Sequence, residues 1–304
     1  MSTARFAEGT PQATPRPLAM VVLVAALAGS LFLRMRIDRE SGEASQLSPI
    51  VYVTSGDTLR RLSFGYDGLL ADIYWTRAVQ YFGRERLAGR AGFNLMGPLL
   101  RVTTTLDPQL VIAYRFGAIF LAEKPPAGAG RPEEALALIR RGIVANPSYW
   151  RLWQDLGFIY YWDLGDYGQA AHVFAVGGSR PGAEMWMKTL AASVAAQGGE
   201  RSTSRVLWAE VYRHADNDSI RRSALEHLAA LEAAEDIARL DQALTEFEQL
   251  AGRRAASFDE LVGAGLLART LLDPGGVSYV INRDGKAALG PESSIDLELA
   301  AGNH

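Results

Sequence analysis

From residue 67 onward, apolar residues recur at helical spacing, and the breaks between periodic segments fall at similar intervals. "TLDP" ends at Pro108, "ANP" at Pro147 and "SRP" at Pro181, giving spacings of 39 and 34 residues, within the range of stacked helix-pair units. Asp107-Pro108 and Asn146-Pro147 each set a capping side chain before a proline. A proline at the first helical position loses no hydrogen bond, so new helices are expected to begin there. Between residues 151 and 182, Trp153, Leu156, Gly157 and Tyr160 lie at i, i+3, i+4 and i+7. A "LGDY" turn follows, and then Ala170, Phe174 and Gly177 on the next helix. Large side chains would fill the gap between antiparallel helices while Gly and Ala let the backbones approach, which makes Trp153, Tyr160 and Phe174 core residues.

This order of residues resembles the tetratricopeptide repeat (TPR), whose signature runs W, L-G, Y, then G-x-Y, A, F, A and P. The 151–182 copy carries one extra residue before Gly165 and has Gly177 where the family uses Ala. The preceding unit shows Phe116-Gly117, Phe120, Ala135, Ile139, Gly142 and Pro147, with its turn expanded into "EKPPAGAGRP". Looser copies span 67–106, with Trp75, Gly83 and Leu100, and 182–215, with Trp186, Gly198 and Trp208. The resemblance implies an all-α fold, a TPR-like α-solenoid of antiparallel helix pairs over residues 51–216. Arg151, Gln154, Phe158 and Tyr161 form a second stripe, rotated by about 130° from the packing stripe. In TPR proteins such a stripe faces the concave groove that takes protein segments, so these four are the expected partner-binding residues.

Before the periodic region, residues 1–17 form a polar tail and Leu18 to Leu33 run without a charge. At about 1.5 Å per residue this run reaches roughly 24 Å, a short transmembrane helix with Arg16, Arg34 and Arg36 reaching for the headgroups. An anchor over 18–36 is expected, and the Ala26-Leu27-Ala28 pattern leaves a cleaved signal peptide open. Both readings export the rest, across a polar linker at 37–50, and the anchor makes it a single-pass inner-membrane protein with the C-terminal domain in the periplasm.

Residues 51–83 join a short β-like stretch to an aromatic amphipathic helix in which Trp75, Tyr81 and Phe82 are expected to pack on the first repeat. Together with the repeats, this region is similar to membrane-anchored TPR proteins of Gram-negative bacteria. Residues 217–256 read as two long helices capping the solenoid. Residues 257–304 read as a small helix, with Ser257 and Glu260 as a capping box, followed by a β-hairpin of Val277–Ile281 and Lys286–Leu289 around Asn282, Asp284 and Gly285. Asp273, Pro274, Gly276 and Tyr279 make this tail similar to the end of type II secretion pseudopilins. Gly275 replaces the characteristic Trp, and the prepilin start is missing.

Composition narrows the chemistry. Of 304 residues 48% are hydrophobic, and a net charge of −3 offers no basic surface for nucleic acid. There is no cysteine, and the four histidines at 172, 214, 227 and 304 have no metal-ligand spacing. "DNDS" at 216–219 begins like a calcium loop but lacks the central Gly, so it reads as a helix cap. No catalytic residue, metal or cofactor is expected. The reading is a non-enzymatic envelope scaffold that binds other proteins, such as secretion, pilus or membrane-complex subunits, through its concave face. Two other readings stay open: an accessory subunit of an energy-converting membrane complex, and a periplasmic hydrolase of envelope polymers.

Overall fold

The computed structural model describes residues 55–89 and 92–302, together with positions 21, 25–30 and 32, which are helical and exposed. The chain divides into a unit of residues 1–52 and a unit of residues 53–304. Most of the apolar run from Leu18 to Leu33, the linker and the β-like stretch before Ser55 lie outside the described residues. Among those described, no helix is long and apolar enough to cross a membrane.

The second unit is mostly helical. After a short α1 (Gly56–Leu62) come α2 (Asp67–Leu87), α3 (Met96–Leu106), α4 (Val111–Ala122), α5 (Pro132–Ala145) and α6 (Trp150–Phe158). A π-helical turn (Ile159–Leu164) prolongs α6 and leads to α7 (Tyr167–Gly178), α8 (Met185–Gln197), α9 (Arg201–His214), α10 (Asp218–Ala251) and α11 (Phe258–Gly263). Packing runs mainly between chain neighbours, with α2 on α3, α4 on α5, α6 on α7 and α8 on α9. The turns at Pro108, Pro147 and Pro181 fall between these pairs, and α7 also packs closely on α8.

The pairing of α6 with α7 shows why small residues stand where they do. A Cβ on Gly157 would drive into the Phe174 ring, and one on Gly177 would meet the Cβ of Trp153 at 2.6 Å. Contacts that run up α6 from 153 to 157 run down α7 from 177 to 174, so the two helices are antiparallel. Gly142 plays the same part on α5, where an added Cβ would stand 2.7 Å from Tyr114. Tyr160 and Phe174 are buried as expected, while Trp153 is only partly covered, with the Arg180 guanidinium 4.8 Å over its ring.

Two expected helix starts are corrected. Asp107 and Asn146 end α3 and α5 rather than opening the next helices, which begin at Val111 and Trp150. Each proline sits in a turn. Asp107 Oδ1 accepts from the Gln109 amide at 2.7 Å, and Asn146 Nδ2 donates to the carbonyls of Pro108 and Gly142 at 3.0 and 3.2 Å. Their side chains therefore stitch turns together instead of capping helices.

The expected pair of long C-terminal helices is one 34-residue helix, α10, opened by Asn217 Oδ1 accepting from the Ile220 amide at 2.9 Å. It joins two cores. Its first half packs Ala224, Ala230 and Leu231 with Trp208 and Val211, and its second half packs Leu240, Leu244 and Phe247 with Phe258, Leu261 and Tyr279. Ser257 stands at the cap of α11 without a side-chain bond, and Glu260 pairs with Arg253 at 2.7 Å, so the capping box does not form. The hairpin does form, shorter than expected: β1 (Val280–Ile281) pairs antiparallel with β2 (Ala287–Ala288) in the register Val280 with Ala288. Asn282 Oδ1 ties its turn by accepting from the amides of Asp284 and Lys286. Tyr279 anchors it to α10, its hydroxyl 3.3 Å from Asp236, and burial followed by that carboxylate pushes the phenol well above its usual range.

Candidate functional site

The four expected partner-binding residues do lie on one side of α6 and the π turn, and all are half-buried. Arg151 rests on the Trp150 ring at 4.4 Å and approaches Glu184 at 4.0 Å, while Tyr161 donates from its hydroxyl to Gln197 Oε1 at 3.0 Å. Glu184 caps the start of α8 and Gln197 ends it. The two ends of the stripe, Arg151 and Tyr161, therefore reach the two ends of α8. Much of what the spacing presents as an open wall is a seam inside the fold. Phe158 packs its ring edge-to-face on buried Phe174, with centroids 5.1 Å apart, so it is shared between core and surface. Gln154 is half-buried between Trp153 and Asp155.

The C-terminal end of the chain packs back onto α8. A short 3-10 helix, Leu297–Ala301, returns against α8 and α10. Gly302 adopts φ +71° and lies so near α8 that a Cβ there would stand 2.8 Å from the Gln197 amide nitrogen.

Exposed apolar surface appears one pair earlier. Ile112, Phe116 and Ile119 of α4 follow each other at i, i+4 and i+7 and are all exposed. On the neighbouring helix the π turn presents Trp162, 66% exposed and stacked on Phe158 with centroids 4.4 Å apart and planes 8° from parallel. The turn absorbs the extra residue that precedes Gly165. One added residue in a helical turn rotates the side chains after it about the helix axis, and here it swings an indole outward. Gly165, in the left-handed region at φ +66°, then ends the turn, and Asp166 caps α7 by accepting from the Gln169 amide at 3.0 Å.

The helices α4 and α6 are fastened by an ion pair whose carboxylate is buried. Arg115 Nε and Nη2 reach Asp155 Oδ2 and Oδ1 at 2.5 and 3.1 Å, and Asp155 is almost fully buried. Burial raises the Asp155 carboxyl above the usual range against the pull of Arg115, whose charged form the same hydrogen bonds stabilise. Within the π turn, Asp163 is also raised, by burial and then by the nearby Glu123 carboxylate. Trp75 and Phe82 of α2 stack on Phe120 of α4 at 6.4 and 3.9 Å, so these aromatics pack on the unit after their own, while the Tyr81 hydroxyl donates to the Gly92 carbonyl at 3.0 Å.

Two clefts lie in the C-terminal half of the second unit. The cavity of about 450 Å³ between α8, α9 and α10 is lined by Trp186, Leu190, Trp208, Ile220, His227 and small hydroxyl residues. A smaller cleft of about 280 Å³ holds Asp241 and Glu248, yet Asp241 accepts from the Ala287 amide at 2.7 Å and Glu248 faces Arg254 at 3.6 Å. Among the described residues no group of three or more His, Asp or Glu is placed to hold a metal ion. Compared with protein-family models, curated proteins and solved structures, the chain matches none of them.

Proposed function

We propose that this protein is a non-enzymatic scaffold of the cell envelope, a TPR-like solenoid held at the inner membrane through Leu18 to Leu33, with residues 51–304 on the periplasmic side. Its partners are other proteins, such as subunits of a secretion, pilus or membrane complex. They dock on the surface of α4 and α6, where Ile112, Phe116, Ile119 and Trp162 take over the role that spacing gave to Arg151, Gln154, Phe158 and Tyr161.

The observation that carries this reading is large apolar side chains exposed on both of two fastened helices, the Ile112–Phe116–Ile119 row on α4 and the outward-turned Trp162 on the π turn that prolongs α6. Apolar rows at helical spacing are ordinarily buried, and soluble surfaces rarely display several large ones together unless something covers them. Aromatic anchors of this type dominate binding energy in protein interfaces. The Arg115–Asp155 pair holds the two supporting helices in fixed relation, which lowers the ordering cost of docking. Anchoring to a membrane would add effective concentration for partners in the same bilayer.

The test is affinity purification in mild detergent followed by mass spectrometry, comparing the native chain with Phe116→Asp and Trp162→Asp. Both positions are exposed, so the variants should fold. The scaffold reading expects a reproducible partner set that both variants lose. Recovery of the same proteins by the variants would move the docking surface elsewhere, and recovery of no partner by the native chain would end the reading.

A further inference from the structure

Ahead of the repeats, the turn between α1 and α2 holds large apolar side chains in solvent. Leu62 is 61% exposed, Phe64 89%, Tyr66 68% and Leu69 58%. Phe64 does this at φ +51°, the single non-glycine residue in the left-handed region among those described. That backbone carries a steric penalty for a bulky residue, and such strain tends to persist where a side chain must be displayed. The turn is also rigid. Ser63 is buried, and its hydroxyl donates to the Arg60 carbonyl at 2.8 Å and to Asp67, while the Tyr66 amide closes the turn onto the Ser63 carbonyl at 2.9 Å. Phe64 is thus pushed outward by a fastened loop rather than left out by a loose one.

The surroundings indicate what covers it. Arg60 and Arg61, both exposed, stand in the last turn of α1 immediately before the apolar tip. An apolar and aromatic tip behind two arginines matches the bilayer interface, where rings and methyl groups enter the acyl boundary and guanidinium groups meet lipid phosphate. The tip also belongs to the first described helices after the Leu18–Leu33 run, so an anchored chain would carry it close to the lipid surface. The other aromatics of this region turn to the fold, with Trp75 and Phe82 on Phe120, Tyr74 buried and Tyr81 bonded to the Gly92 carbonyl, and they leave this turn as the interfacial element.

We infer that Leu62, Phe64, Tyr66 and Leu69 insert into the headgroup region of the bilayer, with Arg60 and Arg61 on anionic lipid phosphates, so that the folded unit is held against the membrane at a second point. This rests on the membrane-anchored reading of the chain, and the experiment separates the two.

The chain has no cysteine, so a single Leu62→Cys carries an environment-sensitive fluorophore on the tip with Phe64 intact, and Val144→Cys, 82% exposed on α5, serves as the aqueous reference. The full chain is reconstituted into phosphatidylethanolamine–phosphatidylglycerol vesicles containing lipid with a nitroxide near the headgroup, and floated on a density gradient. The inference expects the Leu62 probe to be quenched several-fold more than the Val144 probe, and Phe64→Ser in the same chain to abolish the difference. A floating protein with equal quenching at both sites overturns the inference while leaving the anchor standing. A probe shielded from aqueous iodide yet not quenched by the lipid nitroxide also overturns it, because the cover is then protein. A chain that does not float overturns the anchored reading and this inference with it.

Discussion

Arg115 grips Asp155 through two hydrogen bonds across forty positions of sequence, with Nε 2.5 Å from Oδ2, and so fastens α4 to α6. Removing one member of such a pair leaves the other charge stranded. With Arg115 partly exposed, Arg115→Ala should cost about 2–3 kcal/mol, at the lower edge of what stranded buried charges cost. The double replacement Arg115→Met with Asp155→Leu should recover most of that. The pH sense comes from the raised Asp155 carboxyl. Without Arg115 only the weaker pull of Arg151 opposes burial, the native state holds its proton more tightly than the unfolded chain, and the deficit of Arg115→Ala should shrink as pH falls below neutrality. Urea melts at several pH values measure both effects, and a deficit that grows toward acid would refute the argument.

Gly157 offers a second check on the helix pairing. An added methyl would enter the space of the Phe174 ring, which is itself fully buried. Although alanine is the better helix former, Gly157→Ala should destabilise by about 1–3 kcal/mol, because a packed ring cannot retreat. Phe174→Leu in the same chain should return part of the loss. If Gly157→Ala raises the melting midpoint instead, α6 and α7 do not meet at this contact.

How much of the molecule is legible in its sequence depends on how local the cause is. The Trp153, Gly157, Phe174 and Gly177 complementarity lies within one pair of adjacent helices, so spacing alone exposes it. The 34-residue α10 reads as easily as two helices, because nothing in its composition requires either a break or its absence. Asp107 and Asn146 are good capping residues by type, yet a side chain can serve an Asx turn or a neighbouring carbonyl equally well, and here distant Pro108 claims Asn146. Arg115 with Asp155 has no local signature at all. Trp162 has one, the extra residue before Gly165, but its consequence depends on whether the chain loops the residue out or widens a helical turn to hold it.

Asp273 ties the C-terminal module by charge. Its carboxylate is buried and accepts from Ser293 Oγ at 2.5 Å and from the Val277 amide at 2.8 Å. Burial alone would raise its pKa, but these bonds, with the amides of Gly275 and Gly276, outweigh it and hold the carboxyl below the usual carboxylate range. A lowered native pKa contributes stability above the unfolded value that is lost as pH falls through the native one. Asp273→Asn should therefore cost about 2 kcal/mol at neutral pH, the scale of hydrogen bonds to a charged group. The difference from the native chain should fade below roughly pH 4, where the unfolded carboxyl is protonated. Urea melts of the native chain and Asp273→Asn at a series of pH values measure that convergence, and a difference that persists at about pH 3 would refute the argument.

Phe64 gives the sharpest separation of stability from display. At φ +51° and 89% exposed it contributes strain and almost no burial. Asparagine tolerates the left-handed backbone better because its short polar side chain bonds locally. Phe64→Asn should thus leave the fold intact and raise stability by up to about 1 kcal/mol, seen as a higher denaturant midpoint with an unchanged slope. A fall in the midpoint would mean that Phe64 packs on something in the native state and that its backbone is held by contacts rather than kept for display. Glycine is the poorer test at this position: it would relieve the same strain, but it would also loosen the unfolded chain, and the two effects oppose each other.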